Sequence, residues 1–470
     1  MRILFLVRQL GYLSHFADVV SELAQRGHTV RVAVPSDEPA RLPKGLIGHS
    51  SVSGTAGPAR RRDQWGDLVE VVRSLRSYTR YWHPLLQSAS KARSRSFRKL
   101  ATELSAKGRM HLKSRCPHCQ EWIRDEDLAG LVKAAVNGQG SRLGLLGEMI
   151  ERSIPSDPSI EQFLRKERPD VMVVTPLVRL QSPLPDCVKS ARNLRIPTVS
   201  PIWSWDNLSN KGLMHEAPDR VLVWNDTQRR EATDLHGVPK NRVEVTGAPR
   251  FDRFLRMTAT QTREQFCRAF TCDPLQDIIA YLGSSKWIAP DEIAFVRCWV
   301  ESLRGSGHHA LMKATILLRP HPQQRDDWRH ASFAGLGNVS VFDSEYVNAS
   351  QQMFNGLHHA SAAVGLNTSA SIEAAITGTP GFTILAPEFQ AGQSDTLHFH
   401  YLLEGNGGCV RQASTLEEHT AQLRALLSGE PEAVRDRTTG FVTDFVKGGH
   451  TSGTATARTV RAIEAAAGAL

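Results

Sequence analysis

Short β-prone runs alternate with helical stretches along most of this chain, and the alternation begins afresh near its middle. Runs at 2–7, 29–34, 171–175, 198–201, 220–223 and 243–246 form one series, with helical spacing at 17–25 and 226–235 between them. A second series runs through 277–282, 315–318, 339–342, 362–366 and 381–385, with helical patterns at 291–303, 371–377, 416–427 and 454–466. Parallel strands need crossover helices that cover both faces of a sheet, so near-continuous apolar runs separated by helices predict an α/β fold with two parallel sheets. The break between series lies near 247–253. We therefore expect a first domain at 1–250 and a second at 251–470.

The first series is interrupted at about 50–160, too long a stretch for a bare loop. Apolar spacing at 68–75 and 101–104 predicts helices inside it, whereas 51–58 is rich in Gly and Ser and reads as loose. Residues 58–115 hold 15 Lys/Arg against 4 Asp/Glu, so this segment accounts for more than the whole chain's net charge of +9. Such a block predicts an inserted helical appendage with a cationic contact surface. Anionic lipid is the expected partner, and nucleic acid is disfavoured because no nucleic-acid-reading motif accompanies the charge. Seven thinly spread cysteines fit a reducing compartment. No apolar run reaches membrane-spanning length, and the opening run meets Arg8 and Gln9 at once, unlike a signal peptide. A cytoplasmic location, with peripheral contact at the inner membrane, is the expectation.

Ligands of open parallel sheets bind outside the carboxyl ends of the strands, which makes the strand ends of the second series informative. One run ends in Arg319-Pro320-His321-Pro322, where prolines on both sides hold the histidine in an extended backbone. Another runs into Asn367-Thr368-Ser369-Ala370-Ser371-Ile372-Glu373, a hydroxyl-rich turn opening a helix, suited to a phosphate. Glu373 is placed to accept hydrogen bonds from ribose hydroxyls, or else serves the helix start electrostatically. Gly283-Ser284-Ser285 follows the first strand and offers close backbone approach with extra donors. Together these predict a nucleotide site.

In the first series, His15 lies in the loop after the opening strand and is a candidate base for a hydroxyl, or a helix cap. Asp206 follows Trp203-Ser204-Trp205 and is a candidate base or nucleophile, with structural hydrogen bonding the alternative. Cys116 and Cys119, with His111 nearby, make half a zinc knuckle without a second ligand pair, so a reduced thiol turn is expected and no metal. Asp125-Glu126-Asp127 reads as a solvated face. Neither a Walker A sequence nor a Gly-x-Gly-x-x-Gly is present, which removes the main support for ATPase and dinucleotide readings.

Outside 50–160, these motifs resemble GT-B glycosyltransferases, two Rossmann-like domains whose parallel sheets face across a cleft, here with a helical basic insertion in the first domain. The His-Pro pair and downstream Ser/Thr turn are similar to those of bacterial surface-polysaccharide transferases that use CMP-sugars, including sialyl- and Kdo-transferases, and of CDP-glycerol glycerophosphotransferases. Val245-Thr246-Gly247-Ala248-Pro249-Arg250-Phe251-Asp252 also resembles the interdomain junction of these proteins and of UDP-N-acetylglucosamine 2-epimerases. The resemblance implies that His321, Thr368, Ser369 and Ser371 hold the donor's phosphate. It implies a CMP-, CDP- or UDP-linked sugar as co-substrate, no further cofactor, and a glycan or lipid-linked acceptor in the first domain. The family's catalytic carboxylate motif has no clean match, and Asp206 is assigned by position alone. The alternatives are a nucleotide-sugar epimerase or hydrolase, and a non-catalytic protein that binds anionic lipid or nucleic acid.

Overall fold

A computed structural model describes residues 1–35, 40–46, 48–115, 140–179, 182–342, 349–429 and 432–468. Cys116, Cys119 and the 125–127 acids lie outside the described residues, as does the side chain of His111. The chain divides into two compact units, one of Met1–Arg250 with Lys447–Leu470 and the other of Phe251–Val446.

The first unit is built on seven parallel strands: β1 (Arg2–Val7), β2 (Thr29–Pro35), β3 (Val52–Gly57), β4 (Val171–Thr175), β5 (Thr198–Pro201), β6 (Arg220–Val223) and β7 (Val243–Val245). Their order is β3-β2-β1-β4-β5-β6-β7. Successive side chains of a strand point to opposite faces, and β1 buries both sets. Ile3, Phe5 and Val7 join a core with Val19, Leu23, Val460 and Ile463, while Leu4 and Leu6 join another with Ile160, Leu164, Leu184 and Val188.

The expectation that 251–470 forms one domain is corrected at its end, because Lys447–Leu470 returns to the first unit. Helix Ala455–Ala467 places Val460 and Ile463 in the core beside Val19 and Leu23. Arg26 and His28 reach Glu464 at 2.9 and 2.8 Å, and Arg458 donates to the Thr246 carbonyl at 2.8 Å. The amphipathic pattern announces a helix but does not say which sheet it covers.

The insertion is also shorter than 50–160. Its first residues form β3, in register with β2 from Val30↔Val52 to Pro35↔Gly57. Read as loose, the segment is small for a steric reason: a Cβ on Gly54 would lie 1.9 Å from the Ala40 carbonyl oxygen. At the other end, helix Pro158–Glu167 packs Ile160 and Leu164 on the sheet. Among the described residues the appended α-helices are Gly66–Thr79, Ser90–Arg115 and Gly140–Ser153.

Four arginines of the basic segment are turned inward. Arg61, Arg73, Arg76 and Arg80 are buried. Arg73 donates to Glu151 at 2.8 Å and to Asp186 at 2.7 and 2.9 Å, and Arg61 reaches Asp186 at 3.4 Å. Arg76 donates to the His215 carbonyl at 3.1 Å, and Arg80 to the carbonyls of Leu208, at 2.9 Å, and Lys211. A guanidinium presents five donors in a fixed fork, so these side chains rivet helix Gly66–Thr79 to the sheet domain. A charge count does not separate these buried arginines from solvent-facing ones such as Arg98.

The second unit holds six parallel strands: β8 (Ile278–Leu282), β9 (Thr315–Arg319), β10 (Val339–Val341), β11 (Ala362–Gly365), β12 (Gly381–Ile384) and β13 (Val410–Ala413), ordered β10-β9-β8-β11-β12-β13. Tyr281, Ile316, Leu318 and Val364 pack under Trp299 and Trp328 on one face, while Ala280, Leu282 and Ala363 meet Phe254 and Phe354 on the other.

Candidate functional site

Strand order in the second sheet reverses between β8 and β11, and crevices at such switch points are where α/β sheets bind ligands. Leu282 pairs with Arg319 on one side and with Gly365 on the other, so β8, β9 and β11 end in a single row. The three sequence motifs begin immediately beyond that row. Gly283 is required there: its N–H donates to the Arg319 carbonyl at 2.8 Å, and a Cβ would come within 2.9 Å of both that oxygen and the His321 nitrogen.

The expected residues divide into two sets. Ser284, Asn367 and Thr368 spend polar groups inside the protein. The Ser284 N–H meets both Glu292 carboxylate oxygens at 2.9 Å, its carbonyl accepts from the Gln324 amide at 2.7 Å, and its hydroxyl accepts from the Asn367 N–H at 3.4 Å. Asn367 Nδ2 donates to the Gly392 carbonyl at 2.6 Å, and Thr368 Oγ1 accepts from the Ala370 N–H at 3.3 Å. Ser284 is thus the knot that ties the ends of β8, β9 and β11.

The other set keeps its polar groups available. The side chains of Ser285, Ser369, Ser371 and Glu373 have no hydrogen-bond partner among the described residues, and Arg319 Nε is buried without one. Helix Ala370–Ile376 is short, and its Ser371 and Ile372 N–H groups already bond Thr368 and Ser369 carbonyls, so the hydroxyls rather than its dipole are the usable donors.

His321 is held in one tautomer. Its Nδ1 accepts the Gln323 N–H at 3.1 Å, capping the turn Pro322–Gln324. Burial, and then Arg319, push the imidazole down to about 4. The ring is therefore neutral near pH 7 with its proton on Nε2, a fixed donor beside the Arg319 guanidinium.

Glu292 and Gln324 are organisers that the sequence reading missed. Glu292 resembles an ordinary acid at a helix start, and only the fold brings it under Ser284 and within 3.1 Å of the Tyr281 hydroxyl. Burial pushes its carboxyl up to about 8, against the hydrogen bonds it receives. The unfolded chain loses that proton near 4.5, so this group's contribution to stability is full at acid pH and is lost as pH rises through about 8. Glu292→Gln removes the titration: the fall in urea midpoint between pH 5 and pH 8.5 is expected to shrink relative to the parent chain. An unchanged fall assigns the slope elsewhere.

In the first unit, His15 stacks on Trp203 with centroids 4.9 Å apart, and Tyr12 meets the same indole edge-on at 5.0 Å. Burial, then Arg250, push the His15 imidazole down to about 3. A base that weak is poorly matched to neutral pH. Asp206 is engaged in its own loop, with Lys211 Nζ at 2.8 Å and the Ser204 hydroxyl at 2.7 Å.

No family model matches the sequence, and no curated protein matches it. Solved structures do. The chain is similar to HepE of Anabaena in complex with UDP, with a TM-score of 0.51 and 10% identity over 99% of each chain. It is similar to the UDP-GlcNAc 2-epimerase of Neisseria meningitidis bound to UDP-GlcNAc, with a TM-score of 0.51 and 12% identity over 99% of this chain and 100% of that one. A third similar structure is the glycotransferase of kitacinnamycin, with a TM-score of 0.50 and 14% identity over 99% and 98%. At these identities the shared property is the fold, two parallel-sheet α/β units of the GT-B class.

Proposed function

We propose that this chain is a glycosyltransferase that binds a nucleotide-activated sugar at the strand ends of the second unit and a glycan or lipid-linked acceptor at the first. The observation that carries the reading is the aligned row of β8, β9 and β11 ends, which brings the neutral Nε2–H donor of His321, Arg319 and unengaged hydroxyls to one switch point. Breaking a sugar–phosphate bond leaves negative charge on the departing phosphate, and preorganised donors lower the barrier by stabilising it. Ser369 and Ser371 would hold the phosphate and Glu373 the ribose. Asp206, which follows β5, is the proposed acceptor of the hydroxyl proton by its position alone.

A ligand that binds only the folded state raises the melting temperature by mass action. Screening CMP, CDP, UDP and GDP is expected to single out one nucleotide; four flat responses contradict the reading. The alternative is an epimerase, favoured by the fold shared with the Neisseria enzyme. A transferase releases nucleotide only when acceptor is added, whereas an epimerase converts the donor alone.

For membrane contact the proposal rests on surface groups. None of the described helices is long and apolar enough to cross a membrane. Leu145, Leu146 and Met149 are exposed on one appended helix, as are Trp82 and Leu85 beyond its neighbour. Sedimentation with anionic vesicles is expected to weaken in high salt and to fail for Leu146→Glu/Met149→Glu; equal sedimentation of that variant contradicts it.

A further inference from the structure

The parallel strands of the first unit also begin together, and the edge where β5, β6 and β7 start lies opposite the carboxyl ends at which α/β sheets hold their ligands. An open depression of about 430 Å³ runs along that edge, with Arg192, Arg195, Arg220 and Arg242 in its lining and Asp219 as the lining's one carboxylate. Val221 pairs with Val243, so Arg220 and Arg242 stand side by side one residue earlier, where β6 and β7 start. Arg192 and Arg195 come from the end of helix Leu184–Asn193 and the turn after it, just ahead of β5.

The charges of this lining do not balance. Asp219 accepts the Thr198 N–H at 2.9 Å and the Thr198 hydroxyl at 2.7 Å, which ties the carboxylate to the start of β5. Arg192 is paired with Glu216 at 2.8 Å, and Arg220 donates to the Asn241 carbonyl at 2.9 Å. The guanidiniums of Arg195 and Arg242 have neither an ion pair nor a hydrogen bond among the described residues. Arg195 is exposed and Arg242 half-buried, so a solute reaches both. Like charges gathered in one depression raise the energy of the folded chain, and an anion between them lowers it. A guanidinium fork matches the oxygens of a carboxylate or a phosphate. Two unpaired arginines with Arg220 beside them suit the phosphate, which brings close to two negative charges and three strong acceptor oxygens.

We propose that this depression is a phosphate-binding site, with Arg195 and Arg242 as its principal donors and Arg220 at its margin. It lies at the edge of the sheet away from the strand ends that serve chemistry, so its role is to anchor or to regulate, and it does not depend on the transferase reading. The phosphate has two sources, a lipid headgroup or a soluble phosphate compound, and they are separable by experiment.

Calorimetric titration of the full chain with inorganic pyrophosphate at low salt tests it. Arg195→Gln/Arg242→Gln is expected to weaken binding by about tenfold or more, in line with the loss of charge-assisted hydrogen bonds. Neither side chain has a partner to lose, so the melting temperature should stay at or above that of the parent chain. Removing two exposed charges elsewhere, as Arg98→Gln/Arg152→Gln, should leave the affinity unchanged; an equal loss there assigns the attraction to overall charge and overturns the proposal. Pyrophosphate also suits the nucleotide site, and His321→Asn separates the two. Binding that His321→Asn loses and Arg195→Gln/Arg242→Gln keeps belongs to the second unit and overturns the proposal, as does a parent chain that takes up no pyrophosphate. Sedimentation with phosphatidylcholine vesicles carrying phosphatidic acid then identifies the source. A double variant that loses both pyrophosphate and vesicles assigns the site to a headgroup, and one that loses pyrophosphate but sediments like the parent assigns it to a soluble phosphate.

Discussion

Arg73→Ala is expected to destabilise the first unit by about 3–5 kcal/mol, the usual cost of removing one partner from a buried ion network. The guanidinium is the common partner of two buried carboxylates, Glu151 at 1% and Asp186 at 3% exposure. Without it, Glu151 keeps Lys189 at 3.4 Å and Asp186 keeps Arg61 at 3.4 Å, both long contacts. Glu151 belongs to the appended helix Gly140–Ser153 and Asp186 to the sheet-covering helix Leu184–Asn193, so the loss falls on the joint between appendage and sheet. Hydrogen exchange of peptides covering 66–79 and 140–153 should quicken well before that of β1 and β4. Replacing all three groups together, as Arg73→Met/Glu151→Leu/Asp186→Leu, should restore part of the stability, because the buried carboxylates leave with the guanidinium while Arg61 keeps Asp63 and Lys189 keeps Glu216. A single variant as stable as the parent chain contradicts the assignment of these arginines as rivets.

His321→Ala is expected to weaken nucleotide binding by about 10–100-fold, the range for a hydrogen bond to a charged group. The side chain does two jobs, and substitution separates them. Asn at 321 has an oxygen short enough to cap Pro322–Gln324 in place of Nδ1, as asparagine does at helix starts, yet offers nothing where Nε2–H stood. His321→Asn should therefore match the parent in melting temperature and match the alanine variant in affinity. The pH dependence follows from the depressed pKa. The unfolded imidazole gains its proton near 6.5 and the folded one only near 4, so its contribution to stability is full above 6.5 and is lost as pH falls toward 4. Binding through a neutral donor should be insensitive to His321 between pH 5 and 8. Affinity that climbs on acidification below 6.5 and loses that climb in His321→Asn contradicts the neutral-donor assignment.

The strands that position the site were legible because burial on both faces makes them continuous apolar runs, as in Ile278–Leu282 and Thr315–Arg319. β13 was not legible: Arg411 and Gln412 sit in its middle, and its pairing with β12 comes from the backbone. β3 was hidden because the close passage of Ala40 demands small residues, which look like a loop. Within the site, the sequence located the strand-end residues but not the direction of their polar groups. Ser284 and Ser285 are neighbours of one type, yet the first is fully buried in a knot with Glu292 and the second is half-buried with its hydroxyl unengaged. Glu292, eight residues downstream of Ser284, carries no local mark of its role. Charge was similarly ambiguous, since Arg73 and Arg98 belong to one basic block but only the first is buried.

Histidine-labelled protein titrated with the most stabilising nucleotide tests the central claim most directly, the His321 resonance being assigned by its absence from His321→Asn. Saturation is expected to move the His321 imidazole signals, and the variant should need about 10–100 times more nucleotide to reach the same occupancy. A nucleotide that binds fully while the His321 signals stay in place would show that the row formed by β8, β9 and β11 is not where it goes.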